Sequence, residues 1–261
     1  MLDWVNHIGV RGEARRRSDQ RALAAMALFA ILAAVTPAAT QATDCPTARE
    51  PRIPPSEEPA INIEKHKKQL LAYQAGNYDD DIKLVLADAR GYFEQRANQV
   101  RKPAIVLDID ETSLSNWQNI KANNFGFIKG GPCSDEPSLA CGFDEWILKA
   151  SAPAIPATLE FFNSVIVKNV AVFFITGRRD SQRQATLWNL DRAGFQGWAR
   201  LITRSDDDHN ETIVPYKSGE RKKIENEGYT IIANVGDQQS DLDGGSAECT
   251  FKIPNPFYFI K

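Results

Sequence analysis

Histidine is scarce in this chain, and an excess of basic charge is absent. The 261 residues include only three histidines, His7, His66 and His209. A histidine-based metal cage or a phosphohistidine mechanism therefore has almost no side chains to use, whereas 34 Asp and Glu residues leave carboxylate chemistry open. With 31 Lys and Arg residues the formal net charge is −3. Because nucleic-acid binding requires a basic surface, we expect no nucleic-acid polymer as a partner.

The apolar run near the start of the chain is too short for a comfortable membrane span. The stretch from Ala22 to Val35 has 14 residues, and a transmembrane helix needs about 20. Arginines precede this stretch and the small residues Thr40 and Ala42 follow it, which is the order of a secretory signal. We therefore predict a signal peptide over residues 1–42, a secreted or periplasmic protein, and no membrane association after cleavage. An uncleaved membrane anchor is the alternative.

Cysteine is sparse and has no metal-binding spacing. The four cysteines are Cys45, Cys133, Cys141 and Cys249, and no pair has the C-x-x-C spacing of a zinc site. An even number of cysteines in an exported chain indicates disulfides. Four cysteines allow three pairings, of which we predict Cys133–Cys141 together with Cys45–Cys249.

The remaining chain is predicted to form a linker and one domain. Residues 43–60 are rich in Pro, Glu and Ser, which is typical of a flexible linker. The domain covers residues 61–261 and begins with a pair of helices, 63–75 and 79–97. We interpret the aspartates at positions 79–81 only as residues that stabilise the start of the second helix.

Strands and helices alternate through most of this domain. Apolar, β-branched runs predict buried strands, which are 104–107, 170–175, 201–203 and 230–235. Periodic segments predict the intervening helices, which are 157–167, 180–193 and 217–228. The alternation predicts an α/β fold: a doubly wound, mostly parallel sheet with helices on both faces. Residues 253–260 are predicted to add a strand, which Pro254 and Pro256 restrict to an edge.

An insertion of about residues 113–153 interrupts the alternation. It contains glycines, two cysteines and several aromatic residues, among them Trp117, Phe125 and Trp146. We expect a small cap over the end of the first strand. Its aromatic side chains suit the packing of a small core, which is their commoner use, or stacking against a substrate ring.

Polar side chains follow three of the predicted strands. The first strand runs into Asp108 and Asp110, the second into Thr176 and Gly177, and the fourth into Asp237. Ligands of a parallel sheet bind outside the carboxyl ends of its strands. We therefore expect these groups to converge.

Together with Lys217, these groups suit phosphoryl transfer. Carboxylates are the hard oxygen ligands that Mg²⁺ prefers, and a Thr–Gly turn offers a hydroxyl and an open backbone N–H to an anion. Lys217 would supply a positive charge, although Lys222 and Lys223 are rival candidates. Positioning and charge neutralisation do most of the work in this chemistry, and a carboxylate can attack phosphorus to form an aspartyl-phosphate.

The motifs at these strand ends resemble those of the haloacid dehalogenase (HAD) superfamily. The four motifs are Asp-Ile-Asp-Glu-Thr at 108–112, Thr-Gly-Arg at 176–178, Lys217, and Gly236-Asp237 with Asp241. Residues 105–116 and 173–179 are similar to the secreted acid phosphatases of class B and class C and to plant vegetative storage proteins. The motifs occur in the family's order, and the resemblance covers roughly residues 63–261.

This resemblance implies a role for each motif residue. Asp108 would be the nucleophile that becomes phosphorylated. Asp110 would protonate the leaving alcohol and then activate water, as a general acid and base. Thr176, Gly177 and Lys217 would bind the phosphoryl oxygens.

The resemblance also implies a Mg²⁺ cofactor and a hydrolytic function. The ion would be held by the Asp108 carboxylate, the main-chain carbonyl of Asp110, and Asp237, while Asp241 would orient metal-bound water or Lys217. The expected function is a secreted, Mg²⁺-dependent acid phosphatase that hydrolyses small-molecule phosphomonoesters, with 5′-nucleotides as one candidate class. The oligomeric state is left open.

Three other functions fit parts of the pattern. A non-catalytic storage or ligand-binding protein could keep the same fold, and the presence of Asp108 argues against it. A phosphoacceptor receiver domain also combines acidic residues, Thr and Lys around Mg²⁺, but the signal segment and the second carboxylate at Asp110 disfavour it. A dehalogenase is disfavoured because Asp110 supplies the acid that an alcohol leaving group needs.

Overall fold

The computed structural model describes residues 44–55, 62–133 and 141–260. The predicted signal peptide, residues 1–42, lies outside the described residues. Among the helices of the described part, none is long and apolar enough to cross a membrane.

Two consecutive helices open the domain, as predicted. Helix α1 spans Ile63–Ala75 and begins where the Asn62 side chain accepts a 2.9 Å hydrogen bond from the amide of Glu64. Helix α2 spans Tyr78–Arg96, and a short 3₁₀ turn, Ala97–Gln99, follows it.

The acidic run at the start of α2 does more than stabilise a helix terminus. Asp81 is buried. Its carboxylate accepts hydrogen bonds from the Tyr73 hydroxyl at 2.8 Å and from the backbone amide of Arg52 at 2.7 Å, and it also pairs with the Arg52 guanidinium. The interpretation of these aspartates as helix-terminus residues alone is therefore wrong for Asp81, which connects both helices to the segment before them.

Five parallel strands form the central sheet. They are β1 (Pro103–Leu107), β2 (Ala171–Arg179), β3 (Arg200–Arg204), β4 (Thr230–Gly236) and β5 (Cys249–Lys252). Their order in the sheet is β3-β2-β1-β4-β5, and every neighbouring pair is parallel. The predicted α/β fold with a doubly wound parallel sheet is confirmed.

The described part of the predicted insertion contains two short helices. They are α3 (Trp117–Ala122) and α4 (Phe143–Lys149). The rings of Trp117 and Phe125 lie 5.0 and 6.4 Å from the ring of Phe257, measured between centroids. These aromatic side chains therefore pack against the C-terminal part of the domain.

Helices connect the strands on both faces of the sheet. They are α5 (Pro156–Ile166) before β2, α6 (Arg183–Arg192) before β3, α7 (Val214–Asn226) before β4 and the short α8 (Gln239–Leu242) before β5. A 3₁₀ turn, Asp180–Gln182, precedes α6, so the predicted helix over 180–193 starts as a tighter turn.

The sheet separates two apolar clusters. On one face Ile105 and Leu107 pack with residues of α2 and α5. On the other face Ala104 and Val106 pack with Ile224 of α7. Successive residues of a strand point to opposite faces, so β1 is apolar throughout because both of its faces are covered.

The edge of the sheet differs from the prediction. The edge strand next to β4 is β5, and residues 253–260 follow it without strand structure. The amide of Ile253 still donates to the carbonyl of Gly236 at 2.8 Å, but Pro254 has no N–H with which to continue the ladder. The predicted strand over 253–260 is therefore wrong, and this segment crosses the carboxyl end of β4 instead.

Both predicted disulfides are present. Cys45 is bonded to Cys249 and Cys133 to Cys141, with Cα–Cα distances of 5.5 and 4.5 Å. The Cys45–Cys249 bond joins the described part of the predicted linker, residues 44–55, to β5. An ion pair between Arg49 and Asp88 of α2 makes a second attachment.

Candidate active site

The strand order reverses between β1 and β4. The chain proceeds from β1 to β2 and β3 on one side, and then returns to β4 on the other side. In an open parallel sheet, the crevice at such a reversal is the expected ligand site. Asp108 follows β1 and Asp237 follows β4, so the two residues flank this crevice.

A buried lysine lies between two aspartates of the site. The Nζ atom of Lys217 is 2.5 Å from Oδ1 of Asp108 and 2.5 Å from Oδ1 of Asp241. Helix α7 begins at Val214, three residues before the predicted start, so Lys217 lies in its first turn. The helix thereby directs this side chain to the carboxyl ends of the strands.

The two rival lysines lie elsewhere. Lys222 and Lys223 are exposed and form ion pairs with Glu225 and Glu220 of the same helix. The fold therefore brings Lys217, and neither of its rivals, to the aspartates.

Three aspartates are close enough to hold one cation. Carboxylate oxygens of Asp108, Asp237 and Asp241 lie within 4.8 Å of one another, and all three residues are buried. Three carboxylates and the one ammonium of Lys217 sum to a charge of −2 when all are ionised. Burying uncompensated charge is costly. The donor set therefore fits a divalent cation that prefers oxygen ligands, such as Mg²⁺.

The same charge balance shifts pKa values within the cluster. Burial, followed by the charge of Asp241, raises the pKa of Asp237 to about 7. Burial also raises the pKa of Asp108 well above its ordinary value, although Lys217 acts in the opposite direction. Burial acts to lower the pKa of Lys217, but the two aspartates beside it outweigh this effect and raise it. Lys217 therefore keeps its charge, and protons compete with cations for the carboxylates.

The Asp237 carboxylate is held by three side chains. Its Oδ1 accepts a hydrogen bond from the Thr112 hydroxyl at 3.2 Å. Its Oδ2 accepts one from the Gln238 amide and one from the Asn255 amide, both at 2.7 Å. Asp237 therefore has a defined orientation at the end of β4.

The Asp110 carboxylate faces an arginine rather than the aspartate cluster. The Nη2 atom of Arg178 lies 2.7 Å from Oδ1 of Asp110, and the Asn116 side-chain amide donates to the same oxygen at 2.8 Å. Burial acts to raise the pKa of Asp110, but the Arg178 charge and these hydrogen bonds outweigh burial and lower it. The predicted metal ligand from this residue is its main-chain carbonyl, so the carboxylate is left for proton transfer.

A buried glutamate connects the site to the insertion. Glu111 is 1% exposed and accepts hydrogen bonds from the Asn116 side chain at 3.0 Å and the Tyr258 hydroxyl at 3.1 Å. Trp146 of α4 donates to Oδ1 of Asn116 at 2.8 Å. Burial, followed by the charge of Asp110, raises the pKa of Glu111 to about 8. Asn116 is therefore shared between Glu111, Asp110 and the indole of Trp146.

Thr176 and Gly177 lie on β2, the strand next to β1. Thr176 is fully buried, and its hydroxyl oxygen accepts a 3.2 Å hydrogen bond from the amide of Arg178. A Cβ at Gly177 would lie 2.8 Å from the end of the Ile213 side chain, so a larger residue here would displace that side chain. The predicted phosphate-binding turn is thus one strand away from Asp108.

Three amide side chains that contact the predicted aspartates are missing from the sequence-based site. Asn116 contacts Asp110, while Gln238 and Asn255 contact Asp237. Asn116 and Gln238 lie within or beside the motifs, and that position could have identified them from the sequence. Asn255 has no such signal beyond its flanking prolines, because its contact depends on the path of the C-terminal segment.

The family comparison agrees with this geometry. The sequence model of HAD superfamily subfamily IIIB (acid phosphatase) matches residues 53–261. The chain belongs to this family. The resemblance to HAD acid phosphatases is thereby confirmed, and subfamily IIIB is the context in which the site is interpreted below.

Plant proteins are among the relatives of this subfamily IIIB chain. Acid phosphatase 1 of Solanum lycopersicum is 38% identical over 59% of this chain, and the match spans 58% of that protein. The stem 28 kDa glycoprotein of Glycine max is 35% identical over 70% of each chain. Vegetative storage protein 2 of Arabidopsis thaliana is 29% identical over 70% of this chain and 66% of that protein. The predicted similarity to vegetative storage proteins is confirmed.

A solved structure shares the fold. The class C acid phosphatase from Bacillus anthracis has a TM-score of 0.56 and 23% sequence identity, over 74% of this chain and 86% of that chain. At this identity the likeness concerns the arrangement of strands and helices.

Proposed function

We propose that this protein is a secreted, Mg²⁺-dependent acid phosphatase that hydrolyses small-molecule phosphomonoesters through an aspartyl-phosphate. The observation that carries the proposal is the contact of Lys217 with Asp108, within a buried aspartate cluster at the strand reversal. An ammonium held against a carboxylate is suited to receive a phosphate dianion beside a nucleophile. Membership of subfamily IIIB supports the same reaction.

Asp108 and Asp110 carry the first half-reaction. An oxygen of Asp108 attacks phosphorus, and the bond between phosphorus and the alcohol oxygen breaks. Asp110 gives its proton to that oxygen, so the alcohol leaves as a neutral molecule. Asp110 must hold a proton before this step, and acidic pH favours this because Arg178 outweighs burial and keeps the pKa of Asp110 low.

The same two residues carry the second half-reaction. Water attacks the phosphorus of the aspartyl-phosphate while Asp110 accepts a proton from the water. The bond between phosphorus and the Asp108 oxygen breaks, and inorganic phosphate leaves. Asp108 is then free and Asp110 is protonated for the next cycle.

The remaining residues hold the phosphoryl group and the cation. Lys217, Thr176 and Gly177 bind the phosphoryl oxygens. Mg²⁺ would be held by Asp108 and Asp237 together with the main-chain carbonyl of Asp110. When bound, it neutralises charge on the phosphoryl group and the attacking carboxylate.

Asp241 orients Lys217 for the phosphoryl group. It contacts Lys217 directly, and its carboxylate also lies within reach of the cation cluster. Asp241 thus keeps the ammonium in place when the substrate displaces it from Asp108.

Export is part of the proposal. It is supported by the order of charged, apolar and small residues over positions 1–42 and by the pairing of all four cysteines in two disulfides. A relative that is described as a stem glycoprotein is compatible with export. After signal cleavage the protein would act on small molecules, with neither a membrane nor a nucleic-acid polymer as partner.

A non-catalytic storage or ligand-binding protein is the second candidate. The vegetative storage protein among its relatives favours it. The buried contact between Asp108 and Lys217 favours the enzyme, because a storage role needs no buried nucleophile.

Phosphate release tests the proposal. Purified protein is assayed with a panel of phosphomonoesters that includes 5′-nucleotides, with and without Mg²⁺, between pH 4 and pH 8. We expect Mg²⁺-dependent release that Asp108→Asn abolishes. Asp80→Asn is the matched control, because Asp80 is exposed and pairs only with Lys83 in the described part of the chain. Release that survives in Asp108→Asn would exclude Asp108 as the nucleophile, and no release from any substrate would favour the storage reading.

A further inference from the structure

The segment after β5 crosses the carboxyl end of β4. The amide of Ile253 donates to the carbonyl of Gly236 at 2.8 Å, and the amide of Ile260 donates to Oε1 of Gln238 at 3.1 Å. Both acceptor residues are immediate neighbours of Asp237. The segment is therefore held on each side of that aspartate, and Asn255 lies between the two attachments.

Asn255 uses both ends of its carboxamide. Its Nδ2 donates to Oδ2 of Asp237 at 2.7 Å, and its Oδ1 accepts from the amide of Phe257 at 2.9 Å. Because the acceptor end is occupied by the segment's own backbone, the donor end is directed at the aspartate. Pro254 and Pro256 restrict the backbone on both sides of Asn255.

An aromatic anchor fixes the same turn. Phe257 is 6% exposed, and its ring lies 5.1 Å from that of Tyr78 and 5.0 Å from that of Trp117, between centroids. These contacts attach the turn to α2 and α3. The position of the Asn255 amide is therefore set by the packing of the domain as well as by local hydrogen bonds.

The amide donors occupy one oxygen of Asp237 and leave the other more open. Oδ2 accepts two short hydrogen bonds, from Gln238 and Asn255. Oδ1 accepts a single longer one, from Thr112 at 3.2 Å. A carboxylate oxygen has more than one lone-pair site, so Oδ1 has capacity left for a cation.

We propose that Asn255 is a positioning residue of the cation site, which holds the Asp237 carboxylate in the orientation that binds Mg²⁺. The inference rests on the proposed function, because it takes Asp237 as a metal ligand. Partners that hold a metal-ligating side chain in place typically change metal affinity 10- to 100-fold when they are removed. The C-terminal segment would then form part of the cation site.

Mg²⁺ affinity in the absence of substrate tests this role. The full-length protein is stripped of metal and titrated with MgCl₂ by isothermal calorimetry, as wild type, Asn255→Ala and Asn255→Ser. The serine side chain is too short to hydrogen-bond to Asp237, but its hydroxyl can still accept the hydrogen bond from the backbone amide of Phe257. We expect the dissociation constant for Mg²⁺ to rise about tenfold or more in both variants, while kcat at saturating Mg²⁺ changes less.

Asn210→Ala is the matched control. The Asn210 amide donates to Oδ1 of Asp208 at 2.7 Å, which is the same kind of contact in an exposed loop. This variant should bind Mg²⁺ as the wild type does. Melting temperatures in EDTA report whether each variant folds, and Asn255→Ser decides the test if Asn255→Ala does not fold.

Each other outcome overturns the inference. Wild-type affinity in both Asn255 variants would show that the amide does not position the ligand. Wild-type affinity in Asn255→Ser alone would show that Asn255 stabilises the turn through Phe257 and does not position Asp237. A wild-type protein that binds no Mg²⁺ would overturn the cation site itself, and metal-independent phosphate release by that protein would show whether the phosphatase proposal survives.

Discussion

At the scale of single residues, Arg178 controls the state of the proposed general acid. Its side chain is 1% exposed and pairs with the Asp110 carboxylate through Nη2 at 2.7 Å. Burial acts to raise the pKa of Asp110, and Arg178 reverses that effect. A carboxyl group with a lowered pKa is protonated only at acidic pH. The pair therefore favours a phosphatase that works in acid.

Replacing Arg178 should move the pH dependence of the reaction. In Arg178→Gln the opposing charge is lost and the pKa of Asp110 rises, so Asp110 keeps its proton to higher pH. We expect the descending limb of the kcat–pH profile to shift towards higher pH, together with a loss of total activity. The measurement is kcat between pH 4 and pH 8 at saturating substrate and Mg²⁺.

Arg179→Gln provides the control for that profile. The Arg179 guanidinium donates to the main-chain carbonyls of Ser205 and Asp208 at 2.7 and 2.8 Å, and not to Asp110. This variant should keep the wild-type limb. A profile of Arg178→Gln that coincides with wild type would contradict the assignment of Asp110 as the titrating acid.

At the scale of elements, Asp81 connects the N-terminal segment, residues 44–55, to helices α1 and α2. One carboxylate accepts from the hydroxyl of Tyr73 on α1, from the amide of Arg52 before α1, and from the Arg52 guanidinium. Burial acts to raise the pKa of Asp81, but these three hydrogen bonds outweigh it, so the pKa lies below its ordinary value of 3.8. The ionised form is therefore bound more tightly in the folded protein than in the unfolded chain.

Asp81→Asn should destabilise the domain in a pH-dependent way. Hydrogen bonds to charged groups contribute roughly 1.5–3 kcal/mol each, so we expect a loss of roughly 2 kcal/mol or more in the free energy of unfolding at pH 7. Because folding lowers the pKa of Asp81, its contribution to stability is complete at pH values above the ordinary pKa of 3.8. This contribution is lost as pH falls through the pKa of the folded protein. The difference from wild type should therefore shrink in strong acid.

Urea unfolding at pH 7 and in acid measures this difference. Asp80→Asn is the control, since Asp80 is the neighbouring aspartate of the same helix and pairs with Lys83 on the surface at 3.1 Å. Exposed pairs contribute at most about 1 kcal/mol. Equal losses in the two variants at pH 7 would contradict the role of Asp81.

At the scale of the whole molecule, one disulfide closes most of the domain into a loop. Cys45 and Cys249 are 204 residues apart in sequence, whereas Cys133 and Cys141 are 8 residues apart. Closing a longer loop removes more entropy from the unfolded chain. The two bonds should therefore differ in their contribution to stability.

We expect Cys45→Ser/Cys249→Ser to cost more free energy of unfolding than Cys133→Ser/Cys141→Ser. The chain-entropy relation gives about 5 kcal/mol for the long loop and about 2.5 kcal/mol for the short one. Denaturant unfolding of the two double variants under oxidising conditions measures both values. The reverse order would mean that local packing around Cys133–Cys141 outweighs loop entropy.

The elements of this protein could be read from local pattern. Apolar, β-branched runs separated by helical periodicity predict the parallel sheet, since a strand that is covered on both faces must be apolar throughout. The strand ends carry the aspartates, Thr176 and Gly177. The helix containing Lys217 is predicted to start too late by three residues, because helix termini are less strongly encoded than helix interiors.

The relations between distant elements could be decided only by the tertiary structure. The choice of Lys217 over its rivals depends on which turn of α7 faces β1 and β4. The pairing of Arg178 with Asp110 joins residues 68 apart in sequence, and the contact of Asn255 with Asp237 depends on the path of the C-terminal segment after Pro254 ends the ladder. Local sequence sets the period and polarity of an element, whereas such contacts arise only when the ends of separate strands and helices are packed together.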